Sequence, residues 1–590
     1  MSRSPKLNKG GIGQKPKNFR KTFKQLLISL KPYAWQIILG LLCAAVSTVL
    51  SIIGPDQIQR IGKLLLGKPV ILSEVTKIAI GLVIIYASSF LFSFIQNFLM
   101  SGVTARISKD YRNQLSTKIN KLPLKYLDKT SNGDILSRMT NDVDLLSETL
   151  NHSLSSIISC IAIILGSIIM MLTYSLKLTL IAICIIPVTL IVVSLMFKAS
   201  QKYFKAQQDS LGDINGHIEE IYSGHNVISI YNAQDDALEK FDDINKKLYS
   251  SAVKGNILSG LMHPLMNFFG NIGYALIIII GGIMAIEDIT FVPMVIAFVS
   301  YYKMFNNQVS QIANISSTLQ TTIAASERIF EFLNEEEQSN ENDKKLQLND
   351  IKGNVEFKNV NFGYTPEKQI LHDLNVKIKS GQKVAIVGST GAGKTTLVNL
   401  LMRFYEVDSG SINIDGINIA DIKRENVRKL FGMVLQDTWL FEGSIKENIA
   451  YGKSHVKDED IIEVCKNAGI HHLIMSQPKG YDMILTEDSN FSVGEKQLIT
   501  IARAMLQNAP MLILDEATSS VDTRTEVLIQ KAMDKLLKNR TSFIIAHRLS
   551  TIVNADLILV MQNGRIEEMG KHEELLKLNG IYANLYKAQF

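Results

Sequence analysis

The stretch from Ala34 to Ile53, AWQIILGLLCAAVSTVLSII, contains no charged side chain. A helix that crosses a bilayer needs about 20 mostly apolar residues, and this run meets that length. Five comparable runs follow, at Ile78–Met100, Ser153–Tyr174, Leu176–Phe197, Pro264–Ile286 and Phe291–Gln311. Six runs so long and so poor in charge are not what buried helices of a large soluble protein look like. They predict a polytopic, all-α membrane domain with six transmembrane helices.

The connections between the runs alternate. Runs three and four meet at TYSLK and runs five and six at EDIT, whereas Ser101–His152 and Lys198–His263 are long, polar and rich in Lys and Arg. The first 32 residues hold nine Lys or Arg and no acid. Basic segments stay on the cytoplasmic side, so the N-terminus and both long connections are expected inside and the tight turns outside. No short apolar core with a small-residue cleavage site marks a signal peptide. The basic tail could instead be a nucleic-acid arm, but no aromatic or base-reading pattern accompanies it, so no nucleic-acid partner is expected. Within the long connections, Leu122–Asp144 and Glu219–Asp235 interrupt the helical pattern with Gly, Pro, Asn and Ser, as docking elbows would.

Polar residues inside the runs are candidate cavity lining: Gln96, Asn97, Asn267, Asn271, Tyr301, Tyr302, Lys303, Asn306 and Asn307. Most read as helix-to-helix hydrogen-bonding groups or as span ends. Lys303 stands apart, because an intramembrane ionisable group is costly and often functional; it is expected at the cytoplasmic mouth, or snorkelling towards it. The four cysteines, Cys43, Cys160, Cys184 and Cys465, have neither disulfide nor metal spacing.

Beyond residue 330 the character changes to a soluble α/β pattern. KVAIVG reads as a buried strand, and Gly388, Ser389, Thr390, Gly391, Ala392, Gly393, Lys394 and Thr395 fit G-x-x-x-x-G-K-[ST] ahead of an apolar helix. Strand, loop and helix in that order are the context of a phosphate-cradling P-loop. Loop amides and the helix N-terminus supply partial positive charge, Lys394 reaches the β and γ phosphates, and Thr395 can hold Mg²⁺. Downstream, MLILDEATSS is an apolar strand that ends in two acids. Asp515 is suited to hold Mg²⁺, and Glu516 to polarise an attacking water.

Together these features resemble the ATP-binding-cassette exporters, in the half-transporter arrangement of six spans fused to one nucleotide-binding domain. The resemblance covers nearly the whole chain. It implies adenine stacking by Tyr364 in FGY and P-loop contacts extending to Thr396. Gln436 in VLQDTWLF would sense Mg²⁺ and water, Asp522 in SSVD would cross a dimer interface, and His547 in IIAHRLST would contact the γ-phosphate. It also implies ATP and Mg²⁺ as cofactors and a second half-transporter as partner. The expected domains are a basic tail with an elbow helix (1–33), the membrane domain (34–320), a linker (321–352) and the nucleotide-binding domain (353–590).

One motif departs from the family. Its signature turn, L-S-G-G-Q, reads here Phe491, Ser492, Val493, Gly494, Glu495. Ser492 and Gly494 keep the γ-phosphate contacts possible, while Val493 adds bulk and Glu495 adds negative charge. An altered signature beside an intact Glu516 resembles heterodimeric exporters, so a heterodimer is favoured over a homodimer. The expected function is ATP-driven export of amphipathic or hydrophobic compounds by alternating access, from a bacterial plasma membrane. A hydrophobic-peptide exporter and an ATP-gated channel are the alternatives. The chain shows no peptidase domain of the kind leader-cleaving peptide exporters carry, and it lacks a ring of charged residues for a channel.

Overall fold

The computed structural model describes residues 18–66, 70–344, 350–435, 438–453, 455–486, 491–515, 522–545 and 552–589. The chain divides into two units. The first runs to Asn120 and resumes over Asn132–Glu335; the second comprises Lys121–Ser131 and Glu336–Phe590.

The first unit is helical. It contains α1 (Phe19–Ser29), α2 (Ala34–Leu66) and α3 (Leu72–Ile119). The short α4 (Leu124–Leu127) belongs to the second unit. The first then continues with α5 (Asn132–Ser137), one π turn and α6 (Val143–Tyr174). Next come α7 (Leu176–Ser223), α8 (His225–Ile230), α9 (Gln234–Gly260), α10 (Met262–Glu287) and α11 (Phe291–Leu333). The break between α6 and α7 is a single extended residue, Ser175, whose hydroxyl caps α7 by accepting from Leu178 N.

All six sequence-predicted spans lie in helices. Among the described residues, five helical segments are long and apolar enough to cross a membrane: Lys31–Leu66, Leu72–Ile119, Asn132–Tyr174, Leu176–Ser223 and Gln234–Ile286. The sixth expected span is the start of α11, which is helical but falls outside that group. The cause is its polar run Ser300–Lys303 and Asn306–Gln308.

Polar groups join the spans. Ser47 and Ser51 of α2 both meet Ser89 of α3 at 3.0 Å. Two of the candidate cavity-lining tyrosines take the helix-to-helix role that the sequence reading favours for such groups. Tyr301 donates to Ile52 O at 2.9 Å and Tyr302 to Gly270 O at 3.1 Å. Around them pack Met171, Leu178, Ala182, Ile277, Phe298 and Phe305. Small residues permit this approach: a Cβ at Gly273 would stand 2.1 Å from the Tyr302 hydroxyl.

The second unit holds two main sheets. Its strands are β1 (Val355–Thr365), β2 (Lys368–Ile378), β3 (Lys383–Gly388), β4 (Ser409–Ile414), β5 (Ile417–Asn418) and β6 (Phe431–Val434). After them come β7 (Gly443–Ser444), β8 (Ile484–Leu485), β9 (Met511–Asp515), β10 (Thr541–Ile545), β11 (Leu557–Gln562) and β12 (Arg565–Gly570). One sheet has the order β2-β1-β4-β5, and its pairings are antiparallel. The other has the order β12-β11-β3-β10-β9-β6, parallel except at β12. Between β3 and β10 in the sequence lie α12 (Lys394–Leu401), α13 (Arg424–Lys429), α14 (Ile445–Ile449), α15 (Asp458–Ala468), α16 (His471–Met475), α17 (Val493–Gln507) and α18 (Thr523–Leu537). Leu397, Leu400 and Leu401 of α12 pack with Phe357, Phe362 and Phe543 in one core. A second core gathers α15, α17 and α18 around Cys465, Ile499 and Leu536. The run buried on both faces of β3, VAIV, is what a central parallel strand requires.

The segment joining the two units is pinned where it enters the second. Glu341 contacts Arg403 at 2.7 Å and Lys344 at 2.9 Å, and accepts from Arg424 N at 2.6 Å. Burial alone would raise its carboxyl, but the hydrogen bonds from Arg424 and Lys344 and the charges of Arg403 and Arg424 hold it below the usual range.

Candidate nucleotide site

In an open parallel sheet, ligands sit beyond the carboxyl ends of the strands. Here β3 ends at Gly388, β9 at Asp515, β10 at Ile545 and β6 at Val434. The P-loop residues Ser389–Thr396 follow β3, Asp515 ends β9, and in sequence Gln436, Glu516 and His547 come one or two positions after β6, β9 and β10; Tyr364 lies in β1 of the other sheet, and Ser492, Gly494 and Asp522 lie at the starts of α17 and α18. Gln436, Glu516 and His547 themselves lie outside the described residues.

The P-loop backbone adopts conformations that glycine alone takes readily. Gly388, Gly391 and Gly393 have φ of 155°, 84° and 100°. A Cβ at Gly388 would also stand 2.2 Å from Met561 O of the neighbouring strand β11. Ser389, Thr390 and Gly391 are exposed, whereas Ala392 and Gly393 are buried and fix the loop to the sheet. Lys394 folds back over the loop and donates to Gly388 O at 2.6 Å and Ser389 O at 3.1 Å. Burial pushes its ammonium down, and the charge of Asp515 pulls the other way. Thr395 is exposed and Asp515 half-buried, an oxygen-only pair that suits a hard cation such as Mg²⁺.

Thr396 turns inward, and its Oγ1 lies 3.2 Å from the Tyr364 hydroxyl. The Tyr364 ring packs edge-on against Tyr405 at 5.0 Å and Phe362 at 5.1 Å. Tyr405 in turn donates to Asp128, in the segment just after α4. Burial and then the bond to Asp128 push the Tyr405 phenol well up from its ordinary value. The residue expected to meet adenine thus connects on one side to the P-loop helix and on the other to the first predicted elbow. Leu124 of that elbow packs on the core beneath β1. Sequence reading missed Tyr405 and Asp128. The signal available was the Pro, Gly and Asn break that marked the elbow.

The altered signature turn is the N-terminus of α17. Ser492 is its N-cap, and the Glu495 carboxylate accepts from Ser492 N at 2.7 Å while Ser492 Oγ accepts from Glu495 N at 3.3 Å. This is a reciprocal capping box. Glu495 is therefore turned back onto its own backbone, a different position from the free negative charge the sequence suggested. Val493 is 54% exposed at the first helical position, and Gly494 is buried. Among the described residues, no hydrogen bond joins Ser492 or Gly494 to the P-loop of the same chain. Asp522 caps α18, accepting from Arg524 N and Thr525 N at 3.0 Å.

A helical membrane unit joined to a P-loop sheet of this order defines an ATP-hydrolysing membrane transporter. The family models agree: the ABC transporter transmembrane region matches residues 37–309, and the ABC transporter model matches residues 371–519. The chain belongs to the ABC transporter family, in its exporter half-transporter form. It is 43% identical over 505 residues to the fatty acid ABC transporter ATP-binding/permease protein of Mycobacterium tuberculosis, covering 85% of this chain and 80% of that one. It is 38% identical over 496 residues to a putative multidrug export ATP-binding/permease protein of Bacillus subtilis (84% and 86% covered). The ATP-dependent lipid A-core flippase of Syntrophus aciditrophicus is 34% identical over 593 residues (98% and 97% covered).

Proposed function

We propose that this chain is one half of a dimeric exporter that uses ATP hydrolysis to move amphipathic or hydrophobic compounds across a bacterial plasma membrane by alternating access. The P-loop supports this reading most directly, because glycines at positive φ and a Lys394 folded back over the loop are what a phosphate-binding loop requires. The related proteins named for fatty acid, lipid A-core and multidrug transport point the substrate towards amphipaths.

Within that reading, Lys394 and the loop amides bind the phosphates, and Tyr364 meets adenine. Thr395, Asp515 and Gln436 hold Mg²⁺, which neutralises phosphate charge when bound. Glu516 takes the proton of the attacking water, and His547 contacts the γ-phosphate. Ser492, Gly494 and Asp522 serve a nucleotide on the partner subunit. Val493 covers part of that surface, which favours a partner with an intact signature. The N-terminus and nucleotide domain are cytoplasmic on the charge bias of the chain. A hydrophobic peptide remains the second substrate reading, and the exposed apolar stretches of the spans accommodate it equally.

Uptake of a labelled amphipath into inverted vesicles tests the proposal. Accumulation that requires hydrolysable ATP supports it. Accumulation unaffected by replacing ATP with a non-hydrolysable analogue would overturn it. Purification of the chain alone addresses the partner: low turnover is expected, rising when a second half-transporter with an intact signature is supplied.

A further inference from the structure

We propose that His217, at the root of the second predicted elbow, is a proton-operated switch: a proton taken up at Nδ1 joins α7 to α9 through Glu220 and Lys240, and so fixes the elbow that α8 carries. The inference concerns ATP turnover and does not depend on which compound is exported.

α7 and α9 pack side by side, and α8 lies between them in sequence. His217 stands seven residues before Gly224, where α7 ends, about 10 Å along the axis at 1.5 Å per residue. Its side chain is 5% exposed. Its Nε2 lies 3.0 Å from Ala237 O of α9. A carbonyl only accepts, so Nε2 carries the hydrogen, and the neutral ring keeps a lone pair on Nδ1. That atom is enclosed, and among the described residues no hydrogen bond reaches it. A buried acceptor left unpaired costs free energy and calls for a reason.

The surroundings supply one. Glu220 Oε2 lies 3.8 Å from Nδ1, and Lys240 Nζ of α9 lies 3.5 Å from the same carboxylate oxygen. With the ring neutral, a lone pair faces a carboxylate and no hydrogen is shared between them. With Nδ1 protonated, the ring donates to Glu220, whose side chain is 70% exposed and has room to close the gap. One chain of contacts then runs from Ala237 through the ring and Glu220 to Lys240, and it crosses between the helices twice. A metal ion would need Nδ1 open to its other ligands, whereas a proton adds no volume at an enclosed atom. At helical spacing from the ring or from Ala237, the remaining charged group is Asp213, exposed on α7. His225 opens α8 and is exposed.

A histidine ring changes charge between about pH 5 and 8. The link is present while the ring is charged and is lost as pH rises. The elbow exposes Tyr222, Val227, Ile230 and Tyr231, a face suited to docking. An elbow already fixed needs no ordering when it docks, so turnover is faster with the ring charged.

The test is hydrogen exchange of the purified transporter in nanodiscs, read in the peptide that spans α8, with ATP turnover measured on the same samples. His217→Gln keeps a donor for Ala237 O and cannot gain a charge. Comparing it with wild type at each pH cancels the intrinsic pH dependence of exchange. At about pH 6 the wild type is expected to exchange about threefold more slowly than His217→Gln, the size of an exposed ion pair, and the two to converge at about pH 8. Glu220→Gln should lose the same protection. The ratio of wild-type to His217→Gln turnover should rise by a similar factor on acidification over the same range. An exchange ratio equal at both pH values would overturn the proposal, as would protection retained in Glu220→Gln. Parallel turnover profiles would overturn the switch even where exchange responds. Glu220 is exposed, so its variant decides the question even if His217→Gln fails to fold.

Discussion

Glu495 changes meaning between sequence and structure. Set against the family turn it is a misplaced negative charge; in the fold it closes a capping box with Ser492. The pattern S-x-x-E was legible as a helix start, but the stronger family motif drew the reading elsewhere. Glutamine can accept the same hydrogen bond and alanine cannot. Glu495→Ala is therefore expected to destabilise the nucleotide domain by about 1 kcal/mol, with Glu495→Gln nearly neutral, as measured by denaturant titration. Equal stability of the two variants would show the cap to be idle. At the P-loop, Gly388→Ala places a Cβ 2.2 Å from a main-chain oxygen at φ of 155°. Loss of ATP binding is expected in equilibrium dialysis, and retained affinity would contradict the loop geometry. The strand, loop and helix order of the P-loop was readable because that pattern is local. The Tyr405–Asp128 bond was not, since its partners stand 277 residues apart and no local pattern links them.

At the scale of elements, the predicted spans all fall in helices, because period and length decide membrane helices from local sequence alone. Local sequence gave the general use of the polar groups as helix-to-helix bonds, but not which of them make those bonds. Tyr301 and Tyr302 bond backbone oxygens of other helices, whereas Lys303, next in the chain, is exposed. Three consecutive residues face different surroundings, and only packing determines which. Gly273→Ala would drive a methyl against Tyr302. It is expected to cost roughly 1–3 kcal/mol as overpacking, seen as a lower Tm in detergent. The segment entering the nucleotide domain makes a pH prediction. Glu341 is held below its ordinary range in the fold. Its stabilisation is thus complete above the unfolded carboxylate value of about 4.3 and is lost as pH falls through the lower folded value. Thermal melts below pH 5 should show the wild type losing stability more steeply than Glu341→Gln. Parallel pH profiles would remove Glu341 from the account.

For the whole molecule, the two-part architecture was visible in the change from apolar runs to an α/β pattern. The division of the chain was less so. Lys121–Ser131 belongs with the nucleotide-binding unit although it lies between two membrane helices in sequence. Asp128 in this insert holds Tyr405, which packs on Tyr364 beside Thr396 of the P-loop helix. The central claim is that hydrolysis at this site, with Glu516 as base, drives the handling of an amphipath by the spans. The most direct measurement is Mg²⁺-dependent ATP turnover of the transporter in lipid, with and without an amphipath, for wild type and Glu516→Gln. The account predicts amphipath-stimulated turnover that falls roughly 10²–10⁴-fold in Glu516→Gln while ATP still binds. Turnover indifferent to every amphipath, or undiminished in Glu516→Gln, would contradict it.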